Sequence, residues 1–93
     1  MLQKIINYIE KNLIVKTMYV MLDSIFCGNF ITYKFEVKEE EKKFVIKIEA
    51  TEELGNKRII TNTKLETKSF INLIINKEEI ESRLRERLLG EKI

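Results

Sequence analysis

A chain of 93 residues, 44% hydrophobic and 34% charged, has room for one modest core and the composition of a folded domain rather than a disordered one. It has no histidine, which excludes imidazole bases, histidine-assisted nucleophiles and most transition-metal sites; its lone cysteine, Cys27, excludes an internal disulfide or a cysteine-rich zinc site. With 17 basic and 15 acidic residues the net charge is +2, too even a balance for a general pull toward nucleic acid or anionic membrane.

The opening residues do not resemble a signal peptide: Lys4 is the single positive charge before Ile9, and no small-residue cleavage site follows an apolar run. Residues 13–31 form the most apolar window, but Lys16 and Asp23 interrupt it, so no transmembrane helix is expected. The expectation is a cytoplasmic protein with no membrane partner.

Leu2, Ile5, Ile6, Ile9 and Leu13 follow the spacing of an amphipathic helix, with Lys4, Asn7, Glu10 and Lys11 on the other side. At about 100° per residue the pattern then changes phase. Ile14, Met18, Met21, Leu22 and Ile25 form a second stripe nearly opposite the first. One straight helix would not bury both halves against one sheet. Either the chain bends near Asn12, which could cap a second helix, or the helix is continuous and the second stripe meets another chain. A strand over residues 13–22 is a third option, since Ile14, Val15, Thr17, Tyr19 and Val20 suit one, but the apolar spacing fits 3.6 better than 2. Gly28-Asn29 supplies a stop. Cys27, just before it, reads as a small, partly buried hydrophobe.

Residues 30–65 read as an antiparallel sheet. Ile31, Tyr33, Phe35 and Val37 alternate with Thr32, Lys34, Glu36 and Lys38. Phe44, Ile46, Ile48 and Ala50 alternate with Lys43, Val45, Lys47 and Glu49, and the second strand is expected to end near Thr51. After a turn at Gly55-Asn56, Ile59, Thr61, Thr63 and Leu65 share one face, with Arg58, Ile60, Asn62, Lys64 and Glu66 on the other. The stretch 70–75 is β-branched and is expected as a fourth strand, with a continuous helix from Ser69 as the alternative. Asn76 followed by Glu79 has the spacing of a capping box, which predicts a helix over 77–89 ending at Gly90. The fold class is therefore α+β: one domain, a three- to four-stranded meander, and amino- and carboxy-terminal helices covering one face.

With 70–75 helical, the order helix, three strands, helix resembles that of the double-stranded-RNA-binding domain. That family opens its last helix with a glycine-rich turn and a lysine cluster. Here the stretch is Thr67-Lys68-Ser69-Phe70, so the resemblance covers topology alone.

No catalytic, cofactor or metal site is expected. Three consecutive glutamates, Glu39 to Glu41, point different ways on a hairpin and lack a calcium-loop pattern; Gly28, Gly55 and Gly90 are too far apart for a phosphate loop. The reading is a non-enzymatic interaction module, of which a regulator or inhibitor is one form. It would bind a protein partner, including its own copy, through Ile14, Met18, Met21, Leu22 and Ile25 together with the narrow stripe of Leu84 and Leu88. The alternative is a nucleic-acid binder using Arg83, Arg85 and Arg87 of the last helix with Lys43, Lys47 and Arg58 of the sheet. Against it, Glu79–Arg83 and Glu81–Arg85 are spaced as ordinary helix ion pairs, and Tyr33, Phe35 and Phe44 fall on the apolar face, away from any stacked base.

Overall fold

The computed structural model describes residues 2–27 and 31–89. Helix α1 spans Leu2–Phe26; strands β1, β2 and β3 span Ile31–Glu40, Lys43–Leu54 and Lys57–Thr67; helices α2 and α3 span Phe70–Ile75 and Lys77–Leu89. The expected stops at Gly28-Asn29 and Gly90 lie outside the described residues.

The strands form one antiparallel sheet in the order β1-β2-β3. Its register places Phe35 opposite Ile48, Val37 opposite Ile46, and Ile46 opposite Leu65. These residues therefore share the inner face, as the alternation requires. Both connections are two residues long. Gly55, at φ 63°, supplies the left-handed conformation that a tight hairpin needs, whereas the first turn places Lys42 there at φ 61°. β2 continues three residues beyond Thr51, because Glu52, Glu53 and Leu54 keep their partners on β3.

Helix α1 runs unbroken through Asn12. Its two stripes are divided in the reverse of the expected way. Ile14, Met18, Met21 and Leu22 are fully buried and Ile25 nearly so, packed with Val37, Phe44, Ile46 and Ile48. Only residues 27–30 separate α1 from β1, so the carboxy-terminal half of the helix is the half that returns over the sheet. Leu84 and Leu88 join the same core beside Leu73. The seven residues expected to meet a partner are thus interior side chains of this chain.

The stretch 70–75 is helical, not a strand. Ser69 caps α2, its hydroxyl accepting the Asn72 N–H at 3.1 Å. Only Leu73 of α2 is fully buried, and β3 carries no fourth strand on its free edge among the described residues. The local β propensity of the isoleucines yields to a cap and to one buried leucine. Asn76 does not form the expected capping box: its side chain turns back and donates to the Asn72 carbonyl at 2.9 Å, closing α2. Cys27, expected to be partly buried, is exposed.

Candidate interaction surface

In the amino-terminal half of α1 no side chain is fully buried, and it is the polar face that meets neighbouring elements. Gln3 Nε2 donates to Asn7 Oδ1 at 2.9 Å, and Asn7 Nδ2 donates to Glu39 Oε1 at 2.6 Å, at the end of β1. Glu10 Oε2 accepts the backbone N–H of Phe70 at 3.0 Å, which holds the first turn of α2 against α1. These contacts lie on the side of the helix that carries the buried stripe further along. The first apolar stripe faces solvent: Leu2 is 72% exposed, Ile5 57% and Ile9 53%, with Ile6 and Leu13 also exposed.

The exposed line extends further than the first stripe. Positions 2, 6, 9, 13, 16 and 20 alternate four- and three-residue steps, the spacing of a coiled-coil seam, and hold Leu, Ile, Ile, Leu, Lys and Val. Val20 is 62% exposed. A single helix thus has a core-facing side from Ile14 to Phe26 and, on its opposite side, an apolar seam that nothing among the described residues covers. Helix α2, packed against α1 beside Glu10, adds the exposed Ile71, Ile74 and Ile75.

On the other flank of α1 an aromatic group closes the edge of the sheet. Tyr19 meets Phe35 edge-on with ring centroids 4.8 Å apart, and Tyr33 stacks on Phe26 at 5.7 Å. Tyr33 Oη donates to Asp23 Oδ1 at 2.6 Å. Burial, the bond to Asp23, that carboxylate's charge and neighbouring Tyr19 push the Tyr33 phenol up to about 12. At neutral pH it is therefore a donor, not a nucleophile.

The basic residues expected for nucleic acid are dispersed. Arg83 pairs with Glu79 at 2.6 Å and Arg85 with Glu81 at 3.6 Å along α3. Arg87 donates to the Lys64 carbonyl at 3.4 Å. Lys43 pairs with Glu66 at 3.2 Å on the outer sheet face, and Arg58 with Glu53 at 3.2 Å near the hairpin tip. Arg83 and Arg87 reach the β3 edge and line a groove there with Lys64 and Glu66, so α3 adjoins the outer-face lysines at that edge, with the Glu66 carboxylate between them. An open concavity of about 700 Å³ on the outer face is bordered by Lys34, Lys47 and Lys64, but Glu36 and Glu49 share it and Glu49 holds Lys34 at 3.1 Å.

Among the described residues, no three His, Cys, Asp or Glu side chains gather into a metal-binding group, and no helix is long and apolar enough to cross a membrane. The sequence pattern offered the second stripe, Ile14 to Ile25, as the partner surface and placed Val20 in neither stripe. The signal that separates the two stripes is the polar set Gln3, Asn7 and Glu10, which continues the line of the buried stripe and can bond to neighbouring elements. Compared with known proteins, the chain matches no family model, no curated protein and no solved structure.

Proposed function

We propose that this chain is a non-enzymatic protein-interaction module that docks through the outward face of α1, with Leu2, Ile6, Ile9, Leu13 and Val20 as the contact line. One observation carries the reading: aliphatic side chains stand 40–72% exposed at seam spacing on a helix whose other side, over residues 3–10, is polar and bonds to neighbouring elements. Scattered exposed aliphatics need no explanation; a line of them at seam spacing, broken only at Lys16, does. Covering the exposed half of each such side chain gains about 1 kcal/mol.

A helix laid along this line would be read through anchors at three- and four-residue steps, the usual mode of helix recognition. No catalytic group or cofactor is needed for that task. A regulator or inhibitor working by occupancy is the form we assign to it.

The test compares the wild-type chain with an Ile9→Glu, Leu13→Glu double variant. Both positions are exposed, so the variant should fold, which circular dichroism checks. Two readouts are taken: sedimentation of the pure protein, and capture of proteins from an extract by the immobilised chain. The reading predicts that an assembly seen by either readout disappears in the variant. If the wild type assembles with nothing that the variant does not also bind, the reading is wrong.

A further inference from the structure

We infer that the occupant of the α1 seam is a second copy of this chain, its α1 running antiparallel to the first across a twofold axis. This rests on the reading of the seam as a docking surface and commits it to a partner. The area supports it first. The chain exposes 6965 Å², whereas a globular monomer of its 11.1 kDa would expose about 5,700 Å². The surplus, on the order of 1,000 Å², belongs to the whole chain, and it is comparable with the roughly 800 Å² that each partner contributes to an interface of standard size. The shape agrees: a radius of gyration of 14.4 Å against about 12 Å for a compact chain of this length, and a long axis of 51 Å.

The direction follows from Lys16, the one charge in the seam. In a parallel, in-register pair each Lys16 would face its own copy, placing two ammonium groups in the same apolar layer. In an antiparallel pair centred near residue 11, position 2 meets 20, position 6 meets 16, and position 9 meets 13. Every seam side chain then has a partner, and each lysine lies against Ile6 of the other copy, able to extend its head to water. The helix dipoles oppose favourably in this direction. Each folded body sits on residues 14–26 of its own α1, so the two bodies come to opposite ends of the helix pair.

Cys27, exposed at the end of α1, provides the ruler. Sedimentation equilibrium should give twice the 11.1 kDa chain mass, and the Ile9→Glu, Leu13→Glu variant should dissociate at concentrations more than about tenfold higher. A spin label on Cys27 should report a separation of about 50 Å between copies, from the 1.5 Å rise per residue; a parallel pair would give roughly 10–20 Å. A short distance overturns the antiparallel arrangement, and a dimer that survives the double variant overturns the seam as its interface. A wild-type monomer at every concentration overturns self-pairing. If that monomer still captures another protein in a seam-dependent way, docking stands with a different occupant; if it captures none, docking fails as well.

Discussion

Glu10 and Phe70 are sixty positions apart, yet the carboxylate of the first accepts the backbone N–H of the second at 3.0 Å. Phe70 is the first residue of α2, whose early N–H groups have no partner within the helix. Ser69 satisfies the Asn72 N–H and Glu10 supplies a negatively charged acceptor for the Phe70 N–H, so one helix end is capped by its own chain and by α1 together. The same bond agrees with the rotation of α1 that buries Ile14, Met18, Met21 and Leu22 and leaves the other stripe to water.

Glu10→Ala should therefore cost about 1–2 kcal/mol of folding stability, the upper part of the range for losing a helix-cap acceptor. Loss should be local as well as global. Amide hydrogen exchange should accelerate at the start of α2 more than in β2, whose backbone is paired on both sides. Unchanged exchange in α2 with a normal stability would show that the cap contributes nothing.

Much of the fold was legible because period-two alternation is hard to imitate. Residues such as Phe35, Ile46 and Leu65 have only one face on which to be apolar, and the register obeys it. Helix α1 was harder. Two stripes of similar hydropathy lay on opposite sides, and local spacing carries no information about which half the chain brings back over the sheet. The short link from α1 to β1 made that choice, and the bonds from Asn7 and Glu10 are consistent with it. The stretch 70–75 misled for a related reason: its isoleucines face solvent, so their β propensity was never expressed in packing. The candidate surface was visible as a pattern and assigned to the wrong side.

Tyr33 makes stability depend on alkaline pH. Its phenol ionises at about 12 in the folded chain against an ordinary 10.0, so the folded state holds this proton more tightly than the unfolded state. The contribution is full below pH 10 and is lost as pH rises from 10 toward 12. Tyr33→Phe should remove that part of the alkaline decline. The difference between wild-type and Tyr33→Phe absorbance titrations should show one phenol with a midpoint near 12, and Asp23→Asn should lower it. A midpoint near 10 in the wild type would refute the assignment.

The two hairpin turns should respond to opposite substitutions. Nothing lies within 4 Å of a β-carbon built on Gly55, so Gly55→Ala meets no steric obstacle, but at φ +63° it should still cost about 1 kcal/mol. Lys42 already occupies the left-handed region at φ 61°, where its side chain is strained. Lys42→Asn should therefore stabilise by up to about 1 kcal/mol. Thermal melts of the two variants should move in opposite directions, and movement in the same direction would exclude backbone conformation as the cause.

The two stripes of α1 can be separated by truncation. Met18 is fully buried among Ile14, Leu22 and the sheet, so Met18→Ala leaves a cavity and should cost about 2–5 kcal/mol. Ile9 is exposed, and alanine is the better helix former, so Ile9→Ala should alter the stability of the dilute chain by no more than about 0.5 kcal/mol. The association equilibrium should show the reverse order. Ile9→Ala should weaken it, while Met18→Ala, wherever the chain remains folded, should leave the seam contacts intact. Chemical denaturation at low micromolar concentration reads the first quantity and sedimentation of the folded variants reads the second. A large stability loss from Ile9→Ala in the dissociated chain would place residue 9 inside the monomer core, and the outward seam would then not exist.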